Sequence, residues 1–220
     1  MRFLDILKDI LPKKCYNCNK ISFLCKSCLE IFFEEICPVC KTKSKNYEVH
    51  EKCKNVYYDN IIILTHYRNK IIKKLIKDKY YNKKDIFIDF SYYLSNLLKL
   101  NYDLNQKTII IPTPMYFLKK LIRYNQAEIL AYNISKNIDL PYNNKIIKKL
   151  KWTKRQSSLN KKERLSNLEK SFFLNKKDFL KFKDYDFIIV DDVFSTTTIN
   201  EISKILKQNI KKIILILASD

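Results

Sequence analysis

Glycine is absent from this chain: none occurs in 220 residues, where average usage of about 7% would supply roughly 15. Glycine alone reaches φ > 0 without steric cost. Tight turns and phosphate loops must therefore be built from other residues. Long apolar runs are also missing. None approaches the ~18 residues that a membrane-crossing helix requires, so no membrane span is expected. No internal repeat is visible, and no secretory signal is read at the start. There Phe3-Leu4-Asp5-Ile6-Leu7-Lys8-Asp9-Ile10-Leu11 is broken by charges and ended by Pro12, which reads as a short amphipathic helix packed on the core. A cytoplasmic location is the expectation. Acidic residues are in deficit, 23 against 43 Lys and Arg, for a formal net charge of +20. Such an excess points to a polyanionic partner or phosphate-rich ligands, although the Lys, Asn and Ile bias of AT-rich coding contributes to it.

Cysteine is present and concentrated. All 7 cysteines lie between residues 15 and 53, and six form the pairs Cys15-x2-Cys18, Cys25-x2-Cys28 and Cys37-x2-Cys40, while Cys53 follows His50 as H-x2-C. A two-residue gap lets both side chains of a knuckle face one metal ion, and two knuckles complete a tetrahedron around Zn2+. A disulfide framework is the competing reading. It fits poorly with a basic chain that has no secretory signal and whose thiols would stay reduced. Sequential pairing gives one zinc ribbon from Cys15, Cys18, Cys25 and Cys28, and a second from Cys37, Cys40, His50 and Cys53. The second requires a histidine where the first has cysteine, and His50 as a plain surface residue is the alternative. Four protein ligands leave no open coordination position, so zinc is expected to be structural.

After the cysteines, apolar runs alternate with helix-periodic segments. Ile61-Ile62-Ile63-Leu64 reads as a strand, and residues 67–79 and 86–98 read as helices. Thr108-Ile109-Ile110-Ile111 is a strand stopped by Pro112 and Pro114, residues 126–137 form a helix, and Ile146-Ile147 suggests a short strand. Residues 151–168 are polar and basic, which suggests a mobile loop carrying a short helix. Apolar strands at 187–190 and 213–217 complete a mostly parallel sheet with helices on both faces. The expected organisation is an N-terminal helix and zinc ribbon over residues 1–55 and an α/β domain over 56–220.

The most informative segment is Phe187-Ile188-Ile189-Val190-Asp191-Asp192-Val193-Phe194-Ser195-Thr196-Thr197-Thr198-Ile199. A buried strand runs into two carboxylates, then four hydroxyls, then a helix with Ile199, Ile202, Ile205 and Leu206 at apolar positions. Carboxylates at a strand end accept hydrogen bonds from vicinal ribose hydroxyls. Hydroxyls and free N–H groups at a helix N-terminus surround a phosphate. An acidic strand end before a simple Ser/Thr cap is the bland alternative.

This segment resembles the phosphoribosyl diphosphate (PRPP) motif of type I phosphoribosyltransferases. The resemblance implies that Asp191 and Asp192, the candidate catalytic pair, hold the 2′ and 3′ hydroxyls, and that Ser195, Thr196, Thr197 and Thr198 cradle the 5′-phosphate. The loop glycine of that motif is missing. At Ser195-Thr196-Thr197, Arg123-Tyr124-Asn125 and Gln208-Asn209-Ile210 the chain reads one residue short of a glycine-containing relative.

Upstream lie Ile111-Pro112-Thr113-Pro114 and Arg123-Tyr124-Asn125-Gln126-Ala127; downstream come Arg155-Gln156, Leu159, Arg164, Asn167 and Phe172. With the cysteine pairs in front, this order resembles the competence-associated ComF family of phosphoribosyltransferase-like proteins across nearly the whole chain. The resemblance implies a type I phosphoribosyltransferase-like α/β fold, with residues 108–137 forming the diphosphate loop and Arg123 and Thr113 as PRPP contacts. A guanidinium fork before a helix suits phosphate oxygens on physical grounds as well. Asn125 and Gln126 either fix that loop or simply begin the helix. Lys154, Arg155 and the stretch from Lys161 to Arg164 sit where such enzymes have a lid, or form a solvated basic loop. Trp152 either stacks on a base or anchors the loop, partly buried.

Three functions compete. One is Mg2+-dependent transfer of phosphoribose from PRPP to an acceptor for which no recognition element is visible. The second is a DNA-handling role in natural transformation, with single-stranded DNA and a competence helicase as partners. The third is a zinc-ribbon adaptor with a vestigial pocket, against which the Asp191-Asp192 pair argues.

Overall fold

The computed structural model describes residues 37, 39–40, 42–44, 49–53, 57–67, 73, 76, 84–104, 107–153, 170–206 and 210–219. Element bounds are described for β1 (Asn60–His66), α1 (Lys84–Asn101), β2 (Thr108–Pro112), α2 (Phe117–Lys120), α3 (Gln126–Ile138) and β3 (Ile147–Lys149). They continue with β4 (Phe172–Leu174), α4 (Lys176–Leu180), β5 (Asp186–Val193), α5 (Thr196–Ile205) and β6 (Lys212–Ser219). Of the helix expected over 67–79, Lys73 and Ile76 are helical and Tyr67 lies in a turn; the rest of that segment is outside the described residues.

The main sheet has the order β1-β6-β5-β2, with every pairing parallel. A parallel bridge from Ile110 to Tyr142 prolongs it beyond β2. The strands are apolar on both sides because both sides are covered. Ile62, Leu64, Ile110, Ile188, Val190, Leu215 and Leu217 pack under α1 and α3 through Phe90, Leu94, Leu130 and Ile134. Their alternates Ile61, Ile63, Ile109, Ile111, Phe187, Ile189, Ile214 and Ile216 pack with Ile199 and Ile202 of α5, Phe179 of α4 and the β3–β4 hairpin. This is the α/β, phosphoribosyltransferase-like arrangement expected from the sequence. Each such side chain contributes roughly 1.5–3 kcal/mol through burial. Phe90→Ala, at a fully buried position, would cost about 3–5 kcal/mol once its cavity is included.

The short strand suggested at Ile146-Ile147 lies at Ile147–Lys149 and pairs antiparallel with Phe172–Leu174, in a separate two-stranded sheet. Two chain-specific devices stand where glycine is common. The helix end of α3 turns at Asp139, with φ 52°, its N–H donating to the Ser135 carbonyl. Lys170 adopts φ 53°. A left-handed L-residue costs roughly 1–2 kcal/mol, and Asp tolerates it better than Lys.

The topology also places the site. From β2 the chain passes through α3 on one face to Tyr142, away from β5; from β5 it passes through α5 on the other face to β6. The connections diverge between β2 and β5. Ligands of open α/β sheets bind at such a switch point, outside the carboxyl ends of the strands.

Candidate functional site

Asp191 and Asp192 lie near the end of β5, at that switch point. Thr113, the residue after β2, spans the crevice floor. Its N–H donates to the Val190 carbonyl at 2.9 Å, and its hydroxyl donates to Asp191 Oδ1 at 2.7 Å. Asn125 Nδ2 donates to the Thr113 carbonyl at 2.9 Å, which settles that residue as a brace for the loop. Asn125 occupies the N-cap position of α3 but makes no side-chain cap bond. Gln126 is the first helical residue and is buried.

The two acids differ. Asp191 is 8% exposed and also accepts from the Asp192 N–H at 2.9 Å. Burial pushes its carboxyl well above the usual range, the Asp192 charge adds to this, and the Thr113 hydroxyl partly offsets it. Asp192 is half-buried, and its Oδ1 accepts from the Val193 N–H at 3.0 Å.

Phe194 and Ser195 separate β5 from α5. Ser195, with φ −132°, caps the helix, its hydroxyl oxygen accepting from the Thr198 N–H at 3.4 Å. No residue between Val193 and Thr196 has positive φ, so the turn is made without the geometry for which glycine is normally used. Thr196 is exposed and Thr197 and Thr198 are half-buried, so three hydroxyls surround the first turn of α5, where the helix dipole favours an anion.

Arg123 stands between α2 and α3, half-buried, with its N–H on the Lys119 carbonyl at 3.1 Å. A cation unnoticed in the sequence joins it. Lys149 of β3 has its ammonium held down to about 8, first by burial and then by Lys119, with Arg123 adding to the effect and Asp191 opposing it. Lys119, Arg123, Lys149 and Asp191 therefore share one electrostatic neighbourhood. Lys149 sits among Lys145, Lys148 and Lys151, and nothing in its local sequence sets it apart; the hairpin does. Trp152 departs from the expected partly buried anchor. It is 57% exposed, with Lys119 Nζ 4.6 Å from its ring centre and Tyr116 edge-on at 5.9 Å. Lys154, Arg155, Gln156, Leu159, Lys161, Arg164 and Asn167 fall outside the described residues.

Away from the crevice, Cys37, Cys40, His50 and Cys53 bring one ligand atom each to within 4.8 Å of all the others. A tetrahedral zinc ion with ordinary Zn–S and Zn–N bonds sets its donors about 3.5–3.8 Å apart, so the set fits with little movement. Cys40 Sγ is 3.3 Å from His50 Nδ1. His50 Nε2 meets the Lys43 carbonyl at 3.0 Å, a contact that fixes the ring and leaves Nδ1 for a metal. Cys40 is lowered to about 6, chiefly by Thr42, while Cys53 is pushed up to about 11 by desolvation and its neighbours Cys40 and Cys37. Three crowded sulfurs resist joint ionisation, and a divalent cation such as zinc reverses that balance. The cysteine–histidine grouping read from the spacing is thus assembled. Cys15, Cys18, Cys25 and Cys28 lie outside the described residues.

No protein-family model matches the chain. It is similar to competence protein F of Haemophilus influenzae, at 32% identity over 203 residues that cover 84% of this chain and 84% of that protein. With that identity across most of both chains, the protein belongs to the competence protein F (ComF) family.

Proposed function

We propose that the crevice between β2 and β5 binds PRPP with Mg2+, and that the protein acts in the cytoplasm in natural transformation, handling incoming single-stranded DNA. The observation that carries the phosphoribose reading is the Thr113–Asp191 hydrogen bond across the switch point. It fixes a carboxylate pair beside the N-terminus of α5 and a group of cations. Asp191 and Asp192 accept the ribose 2′ and 3′ hydroxyls. Ser195, Thr196, Thr197 and Thr198, with the first-turn amides, take the 5′-phosphate. Arg123 and Lys149 face the diphosphate. The Mg2+ that accompanies PRPP neutralises diphosphate charge when bound. The DNA-uptake reading draws on the name of the H. influenzae relative and on the +20 charge.

Zinc held by Cys37, Cys40, His50 and Cys53 is a structural ion in this reading, and Cys15, Cys18, Cys25 and Cys28 supply a second set. The ribbon of residues 1–55 offers a contact surface to a competence helicase, and residues 56–220 form the phosphoribosyltransferase-like domain. One observation favours turnover: Lys149, within electrostatic reach of Asp191 and of the cations Lys119 and Arg123, suits a departing diphosphate, whose charge it would stabilise. The second reading is therefore an active phosphoribosyltransferase of nucleotide metabolism with an unidentified acceptor. Calorimetric titration with PRPP in the presence of Mg2+ tests the shared step. A saturable single-site isotherm is expected, and heats no larger than dilution would sink both readings.

A further inference from the structure

We propose that Trp152, Tyr116 and Phe117 form a stacking platform for unpaired nucleobases beside the crevice, with the surrounding lysines holding the phosphates of the same strand. This rests on the reading of the protein as a handler of single-stranded DNA, and not on the phosphoribose assignment.

The rings meet through tertiary contact, since Tyr116 and Phe117 precede α3 whereas Trp152 follows β3. Tyr116 lies 4.9 Å from Phe117 and 5.9 Å from Trp152, centre to centre, meeting the indole at 82°. Phe117 is 61% exposed and Trp152 57%. No ring among the described residues stacks parallel on the indole: Tyr116 lies perpendicular to it, and Lys119 places its ammonium 4.6 Å from the ring centre while donating to the Thr153 carbonyl at 3.2 Å. An exposed aromatic face beside a cation offers both stacking and cation–π attraction to a base.

Charge selects the occupant. Residues 113–123 contain Lys119, Lys120 and Arg123 and no acid; residues 141–153 contain Lys145, Lys148, Lys149 and Lys151 and no acid. The two segments that build the platform are therefore cationic; Lys120 is paired with Glu128 at 2.7 Å, and Lys119 lies against the indole. A polyanion with flat apolar groups complements both features. In duplex DNA the base faces are already stacked on each other, so the rings select single strands while the lysines do not. Lys119 connects the platform to the crevice, since Lys149 lies within electrostatic reach of Lys119, Arg123 and Asp191. A strand on the rings would thus lead toward the proposed sugar-phosphate pocket.

Trp152 is the only tryptophan in the chain, so the emission of the whole protein reports on it. The experiment titrates the full chain with an oligothymidylate of about 12 nucleotides, within the site sizes usual for such surfaces. It records tryptophan emission together with the anisotropy of a labelled strand. Quenching that tracks the binding isotherm is expected, with weaker binding and no quenching for a duplex of equal length. Trp152→Ala should weaken single-strand binding by about 5- to 150-fold, Trp152→Phe should restore most of it, and neither should alter the PRPP titration. Strand binding without quenching, with equal affinity for the Trp152→Ala protein, would overturn the platform and leave the DNA-handling reading standing. Equal affinity for duplex would also overturn it. Absence of strand binding would overturn both, and would leave the exposed rings to a protein partner.

Discussion

The thiol knuckle and the carboxylate crevice both crowd acidic groups, and they relieve the crowding in different ways. In the knuckle, four possible ligand atoms from residues 37–53 turn toward one point, within 4.8 Å of one another, with Thr42 beside the Cys40 sulfur. In the crevice, two adjacent carboxylates are handled unequally. Asp191 is buried and tied to Thr113, from the far side of the switch point, while Asp192 stays half-buried at the mouth. A metal ion held by all four knuckle groups would have no open coordination position. The crevice pair instead lies near the end of β5, just before the first turn of α5, with Lys149 within electrostatic reach of Asp191, which is the basis for proposing a ligand there. Like-charge crowding is thus met in two ways, by gathering the groups around one point and by burying one of them against a distant hydroxyl.

The knuckle is where a single substitution should do most. Cys40→Ala should remove one full equivalent of zinc per chain, read by elemental analysis, and lower the thermal midpoint, because metal binding in such sites is largely folding free energy. Unchanged zinc content would show that the knuckle is not a metal site.

In the crevice, Lys149 should have a smaller effect. Lys149→Met should weaken PRPP binding by about 10- to 150-fold, the range for a hydrogen bond to a charged group. The wild-type ammonium titrates at about 8. It is protonated below that value and neutral above it, so phosphate affinity should fall as pH rises through about 8. In Lys149→Met that fall should be absent. An identical pH profile in the two proteins would remove Lys149 from the site.

The smallest effect concerns stability. Asp191 titrates above its unfolded value, so the native state binds more protons than the unfolded state. Stability is then greatest below the ordinary carboxylate range and declines as pH rises through the raised value. Asp191→Asn keeps both hydrogen bonds, since both fall on Oδ1, and removes the charge. Its stability should be flat over that window and about 1–3 kcal/mol higher at neutral pH. Denaturant melts at a series of pH values check this, and a decline parallel to the wild type would assign it to another group.

The sequence disclosed the parts of the molecule that follow local rules. β1, β2, β5 and β6 are legible because strands covered on both faces are continuously apolar, and α1 and α3 because one face repeats. The β3–β4 hairpin was only half visible. Its strands are three residues long and expose Lys148 and Phe173, so neither alternation nor length marks them out. The Asp191-Asp192 pair is legible from adjacency at a strand end. The difference between its members is not, because it depends first on the burial of Asp191 and then on Thr113, 78 residues away. The spacing leaves His50 open as ligand or surface residue, and the fold sets its Nδ1 among the three cysteine sulfurs with Nε2 against the Lys43 carbonyl, an arrangement that suits a ligand. Lys149 had no local signal, since only the hairpin distinguishes it from three neighbouring lysines. The missing glycine is answered by Asp139 at the end of α3 and by a β5–α5 turn that needs no left-handed residue.

The central claim is that the crevice binds a phosphorylated ribose independently of the knuckle. It is tested most directly on one protein carrying both Asp191→Asn and Asp192→Asn, measured for zinc content and titrated calorimetrically with PRPP and Mg2+. Full zinc retention is expected together with PRPP affinity reduced by at least about 100-fold, each carboxylate contributing roughly 10-fold or more. Unaltered PRPP affinity in that protein would contradict it.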